Sequence, residues 1–194
     1  YYIGAYRIKS ELEDLSFRYL KPDIYMSLLE KNKKIEEENK NLLLEMKYKI
    51  ENILKDNNIP NEIKVRTKNI YGIYRKMKKG FALDEMHDLV ALKGEKLSDI
   101  HDLFSLKIMV DEINDCYRGL RYVHSLYHPI NSKFKDYICN PKTNMYSSLH
   151  TTVFGPEGRL VQTQIRTFDM DKIASFGLTA YFDINKGDAR KVMQ

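Results

Sequence analysis

Apolar residues return at three- and four-residue steps through the first part of the chain. Ile8, Leu12, Leu15 and Tyr19 predict a helix over residues 7–20, which Pro22 closes. A much longer amphipathic pattern follows from Asp23 to about Lys55, carried by Ile35, Leu42, Leu44, Met46, Ile50 and Leu54. Its charged run KNKKIEEENK reads as a solvated face with Glu/Lys pairs one turn apart. After Asn57-Asn58-Ile59-Pro60 the period changes to two. Ile63, Val65 and Thr67 alternate with Lys64, Arg66 and Lys68, so a strand with one all-basic side is expected. Asn69 is placed to cap a short helix that Gly80 ends. Residues 81–101 hold no clear period. LFSLKIMV (103–110) predicts a strand and residues 113–126 a helix. Strands at about 149–154 and 159–166 are joined by the turn Gly155-Pro156-Glu157-Gly158, and a last helix spans roughly 169–182. Helices first, then a mixed sheet of about five strands with helices, make an α+β domain with an N-terminal helical extension, divided near residues 57 and 58.

Composition narrows the class. With 43% hydrophobic residues in 194, the chain buries a real core, and 30% charged residues solvate its surface. A net charge of +5 suits nucleic acid, an anionic membrane or phosphorylated small molecules, without separating them. Cys116 and Cys139 form neither a disulfide framework nor a zinc spacing and read as reduced thiols of a cytoplasmic protein. No apolar run reaches membrane-spanning length. Nothing at the start reads as a signal peptide, and an opening at Tyr1 without Met suggests a piece of a longer protein.

Three stretches carry candidate chemistry. Lys64, Arg66 and Lys68 stand immediately before a helix start, where free N–H groups and the helix dipole favour anions. On that helix Gly72 and Lys76 share a face, with Arg75 and Lys79 nearby. The cluster reads as a triphosphate cradle or as a plain solvated basic surface, and it is not a Walker loop. In KFKDYICNPKTNMYSSLHT, Lys133, Lys135 and Lys142 interleave with Tyr137 and Tyr146, beside Asp136, Asn140, Asn144 and His150. Cations among aromatics suit a nucleotide; a turn-rich loop with tyrosines plugging the core is the plainer alternative. In RLVQTQIRT, Leu160, Gln162, Gln164 and Arg166 fall on one strand face, giving a wet groove or an ordinary solvated sheet face. An RNA-binding module built on the basic face and the tyrosines is a third reading, one that predicts steeply salt-dependent RNA affinity. The run His87-Asp88-Leu89-Val90-Ala91-Leu92-Lys93 is echoed by His101-Asp102-Leu103-Phe104-Ser105-Leu106-Lys107.

Taken in order, RTKNIYGIYRKM, HDLFSLKIMV, the block from DCYRGLRYVHS to FKDYICNPKTNMYSSLHTTVFGPEG, and VQTQIRT resemble the synthetase domain of RelA/SpoT enzymes. RIKSELEDLSFRYLKP resembles the segment linking hydrolase to synthetase in the long members. The resemblance implies a nucleotidyltransferase-like fold and transfer of pyrophosphate from ATP to the 3′-hydroxyl of GDP or GTP, giving (p)ppGpp with Mg²⁺ as cofactor. It implies ATP contacts by Arg66, Lys68, Gly72, Arg75 and Lys76. It implies guanine-nucleotide contacts by Lys135, Tyr137, Lys142, Asn144, Tyr146, His150, Gln164, Arg166 and Ala174, with Tyr146 stacking on the base. It also implies a hydrolase domain ahead of this region in the parent chain and ribosome contact only through other parts. Lys133-Phe134-Lys135-Asp136 stands where members preferring GDP carry R-x-K-D.

The resemblance is imperfect where catalysis is concerned. The family's metal-binding Asp has two candidates. Spacing from the Arg75-Lys76-Met77 helix favours Asp88, and spacing from Asp115-Cys116-Tyr117 favours Asp102. Asp102 is chosen because a better strand follows it. The family's second metal ligand, a Glu that also helps draw the proton from the 3′-hydroxyl, is replaced by Gln162, an amide that is no base and a poor Mg²⁺ ligand. Gly72 stands where a Ser is usual, and ASFGLTAYFDINKG has drifted from the usual tail. An active synthetase with an altered site, an engineered substrate trap, and a pseudosynthetase that binds nucleotides and regulates a hydrolase all remain open.

Overall fold

A computed structural model describes residues 5–78, 103–177, 180, 182 and 184 of the 194-residue chain. Helix α1 (Tyr6–Leu20) leads through Lys21 into α2 (Pro22–Asp56), a helix of 35 residues. Pro22 breaks one helix and starts the next, because at a first helical position its missing N–H costs no hydrogen bond. Then come β1 (Asn61–Thr67), α3 (Ile70–Lys78), β2 (Phe104–Val110), α4 (Ile113–Leu126), β3 (Lys135–Asp136), β4 (Leu149–Phe154), β5 (Leu160–Thr167) and α5 (Phe168–Phe176). The five strands form one mixed sheet in the order β1-β2-β5-β4-β3, with β2 and β5 parallel and the other pairs antiparallel. Four of these strands follow the sequence pattern closely. The fifth, β3, is a two-residue piece of the polar loop, too short to show any period, and pairs Lys135 with His150.

Alternation along β5 separates the two sides of the sheet. Val161, Thr163 and Ile165 are buried with Leu106, Ile108 and Leu149 beneath α2, whose Met46, Ile50 and Leu54 belong to the same core. Helix α4 comes in close at Gly119, where an added Cβ would already touch Leu54 and Ile165 at 3.8 and 3.9 Å. The other side of β5 carries Gln162, Gln164 and Arg166, facing away from that core.

Both N-terminal helices lie where the sequence places them, and the structure adds which side of each is covered. In α1, the periodic residues Ile8, Leu12, Leu15 and Tyr19 do not form the buried stripe; all four are exposed. The anchor is Phe17, stacked on Tyr74 at 4.6 Å and edge-on to Tyr25 and Tyr71 at 6.0 and 5.6 Å. A helix that contacts the body along one narrow line needs few apolar residues on that line. In α2 the buried line runs through Leu43 rather than Leu42 or Leu44. Among the described residues, no helix is long and apolar enough to cross a membrane. Cys116 is buried, Cys139 is exposed, and both are free thiols.

Candidate functional site

The outward side of the sheet is roofed rather than open. Helices α1, α3 and α5 stand around the row on β5 and enclose a cleft of about 1120 Å³. From the basic strand–helix unit the cleft receives Arg66 and Arg75; from the polar loop and β4 it receives Lys142, Asn144, Tyr146 and His150. Gln164 and Arg166 of β5 and Ala174 of α5 complete the predicted residues that meet there. Stretches that are distant in sequence thus share one space, because β1, β2, β5 and β4 are neighbours in the sheet.

The interior is built on Arg166, which is 3% exposed. A guanidinium at that depth requires partners. Its Nε lies 3.4 Å from Asp171 Oδ1 of α5, and one of its terminal nitrogens donates to Gln164 Oε1 at 2.8 Å. Arg166 Nε itself makes no hydrogen bond among the described residues, so its contact with Asp171 is an ion pair only; Asp171 accepts its hydrogen bonds from Lys107 of β2, at 2.8 and 3.0 Å. Gln164 in turn donates to Gln162 Oε1 at 3.2 Å. Above this row, Tyr146 and His150 share a hydrogen bond of 2.6 Å, and the guanidinium of Arg166 lies 5.5 Å from the Tyr146 ring centre. Burial, with Arg166 and Lys142 adding to it, lowers His150 to a pKa of about 4, so its ring is neutral at pH 7. Burial raises the Tyr146 hydroxyl, which stays protonated. Lys142 Nζ sits 4.5 Å from the Tyr137 ring and 5.2 Å from that of Tyr146.

Several predicted residues take other places. Tyr137 does not line the cleft; its ring packs edge-on behind His150 at 5.3 Å and Tyr146 at 6.1 Å, so it braces the pair. Lys135 is exposed on β3. Asp136 clamps its own loop: one oxygen accepts from the N–H groups of Ile138 and Cys139, both at 2.9 Å, and the other from the Tyr117 hydroxyl at 3.0 Å. Burial would raise its pKa, but these hydrogen bonds outweigh it and hold the carboxyl below its usual range. Strand β1 ends at Thr67, so Lys68 lies beyond it, and Lys64 pairs with Glu62 at 2.9 Å. Of the three basic residues of that segment, Arg66 lines the cleft. Lys76 is exposed on α3 outside the lining, and Gly72 is buried where an added Cβ would come within 2.5 Å of Asn69 Oδ1. That contact gives glycine at this position a local reason. Gln162 stands one place along the row from Gln164 without lining the cleft. Asp88, Asp102 and Lys79 lie outside the described residues.

Reading the sequence alone missed the contribution of α1. Its Asp14 accepts from the Tyr71 N–H at 2.8 Å and from the Asn69 side-chain amide at 3.1 Å, so the first turn of α3 is satisfied from α1. Tyr6 lies over Arg66, 4.7 Å from ring centre to guanidinium carbon. Lys9 and Glu13 of α1 line the cleft and pair at 3.1 Å. Lys107 was also missed, although the one charged residue inside the mostly apolar LFSLKIMV was a usable signal. Among the described residues no group of three or more His, Cys, Asp or Glu side chains is placed to hold a metal ion.

Residues 65–187 match the family model described as a region found in RelA / SpoT proteins. A GTP pyrophosphokinase from Myxococcus xanthus is 37% identical over 188 residues, covering 96% of this chain and 23% of that protein. A guanosine-3′,5′-bis(diphosphate) 3′-pyrophosphohydrolase from Spiroplasma citri is 36% identical over 190 residues, covering 96% of this chain and 23% of that protein. This chain thus spans less than a quarter of the length of these relatives. Among known structures, small alarmone synthetase 2 from Bacillus subtilis superposes with a TM-score of 0.55 at 27% identity, over 82% of this chain and 80% of that one.

Proposed function

Because the chain belongs to the RelA/SpoT family, we propose that its cleft binds ATP and a guanine nucleotide together and transfers pyrophosphate between them, slowly. The observation that carries this reading is the convergence of Arg66, Arg75, Lys142, Tyr146, His150 and Arg166 on one enclosed space from four separate elements and a loop. Transfer of a pyrophosphoryl group asks for little covalent help from protein. It asks that the attacking ribose oxygen be aligned with the β-phosphorus and that cations meet the non-bridging oxygens. In this reading Arg66 and Arg75 meet the phosphates of ATP. Lys142 and Arg166 meet those of GDP or GTP, and the Tyr146 ring is the face for the base. With Asp136 committed to its own loop, any preference for GDP acts through the shape of that loop rather than by a direct carboxylate contact. Magnesium, where bound, supplies charge neutralisation on the phosphates.

Slowness is part of the proposal because of Gln162. An amide does not take up a proton from a ribose hydroxyl at neutral pH, and losing a general base costs about 10²–10⁴-fold in rate. The same residue favours a second reading: a pseudosynthetase whose occupied cleft regulates a hydrolase domain elsewhere in a longer parent chain. The hydrolase named among the relatives supports that alternative. A turnover assay with ATP, GDP and Mg²⁺ on this chain and on Gln162→Glu separates the two. A rise of about a hundredfold or more in the Glu variant supports a synthetase slowed at this position. Product from neither, with GDP still bound, supports the pseudosynthetase. No nucleotide binding at all sinks both.

A further inference from the structure

Two nucleotides in one cleft bring two bases, and the Tyr146 ring serves one of them. Among the described residues, the other aromatic side chains lining the cleft are Tyr6, Phe17, Tyr71, Tyr74 and His150. Phe17 and Tyr74 are buried and stacked on each other at 4.6 Å, and Tyr71 packs edge-on to Phe17, so this trio is taken up by the contact between α1 and α3. His150 shares a hydrogen bond with Tyr146 and meets the Tyr137 ring edge-on. Tyr6 differs. It lines the cleft while 44% of it stays exposed, and its ring lies over the Arg66 guanidinium at 4.7 Å. The stack uses the flat face of the guanidinium. The N–H groups of Arg66 all point outward in its plane, so the ring leaves them to meet anions. A cation against one face of the ring leaves the opposite face for a second flat partner. Arg66 also lies within electrostatic reach of Tyr146: burial raises that hydroxyl, and Arg66 is among the charges that oppose the rise.

From this arrangement we propose that Tyr6 is the stacking platform for the adenine of ATP, its ring backed by Arg66, whose edge meets the phosphates. The inference rests on the nucleotide reading of the cleft and deepens it: one pair of side chains serves both base and phosphate of the same ligand. Stacking engages only the flat face of a base, so Tyr6 adds affinity for a nucleotide over bare polyphosphate without reading the hydrogen-bonding edge of adenine. Helix α1 begins at Tyr6 and ends at Leu20, outside the residues 65–187 that match the family model. The ATP subsite thus extends beyond the family region into the N-terminal helix.

The chain contains no tryptophan, so Tyr6→Trp places a single indole reporter at this position. Its emission should be quenched by ATP and not by tripolyphosphate, which carries no base. Calorimetric titration of Tyr6→Ala supplies the affinity arm. Loss of one stacked base predicts roughly tenfold or more weaker ATP binding, with tripolyphosphate and GDP bound as by the unmodified chain. Tyr6→Phe keeps the ring and should keep the affinity for ATP. Tighter ATP binding by Tyr6→Ala would mean that the ring is a plug the nucleotide must displace. Equal losses for ATP and tripolyphosphate, or equal quenching by both, would mean that Tyr6 only holds Arg66 in place. A loss extending to GDP would mean that α1 has shifted as a whole, and an unchanged ATP affinity that the base lies elsewhere. Each of these overturns the proposal while leaving the cleft standing as a nucleotide site. If the unmodified chain binds neither ATP nor GDP, the reading of the cleft itself fails, and this proposal with it.

Discussion

His150 shows how much a single side chain owes to its surroundings. Between a pKa of about 4 in the fold and the ordinary value of 6.5, the unfolded chain takes up a proton that the folded chain refuses. Stability tied to this residue is therefore fully present above pH 6.5 and is lost as pH falls toward 4. Melting temperatures measured from pH 7.5 to 4 should fall more steeply for the unmodified chain than for His150→Gln. Parallel curves would show that the ring protonates without cost. The position of the ring was legible in the sequence, since His150 opens a strand after a loop rich in cations and tyrosines. Gln164 and Arg166 were legible too, by simple alternation. Asp171 was not. Its role comes from Lys107 and Arg166 on two other elements, and no local pattern announces a partner that arrives through the sheet.

At the scale of elements, α1 is the surprise. Its helical period is plain in the sequence, but the period alone does not say which side will be covered, and the apolar stripe proved to be the exposed one. What fixes α1 is Phe17 among Tyr25, Tyr71 and Tyr74, together with the Asp14 contact to the start of α3. Phe17→Ala should cost about 3–5 kcal/mol, as removal of a buried aromatic usually does. In a chain of this size that lowers the melting temperature by roughly 10 °C. If α1 is a true wall of the cleft, the same variant, kept well below its melting point, should also bind ATP more weakly. A chain that loses stability while keeping its affinity would show that α1 is only a prop. Strand β3 illustrates the opposite limit of legibility: two residues have no period, and Lys135 and Asp136 become a strand only because β4 offers an edge.

For the molecule as a whole, charge is distributed unevenly. Eight lysines and arginines line the cleft against Glu13 and Asp171, a net of six positive charges, while the entire chain carries +5. Since the cleft accounts for all of that excess, the rest of the protein is close to neutral, and the mild basicity seen in the composition is a property of one place. Like charges held together in a partly closed space repel, and a bound polyanion relieves that repulsion. Tripolyphosphate at a hundred times its dissociation constant should therefore stabilise the fold by about 2.7 kcal/mol. In a chain of this size that raises the melting temperature by about 5–10 °C at low salt. The gain should fade by about 0.5 M salt, where screening acts within a few ångströms. Removing a cleft cation, by Arg75→Ala or Lys142→Ala, should reduce the gain. Lys64→Ala, at an exposed cation paired with Glu62 outside the cleft, should leave it intact. Equal effects from all three variants would mean that polyanions see only net charge. An effect confined to the cleft pair would show that folding has gathered a diffuse basic composition into one anion-binding space.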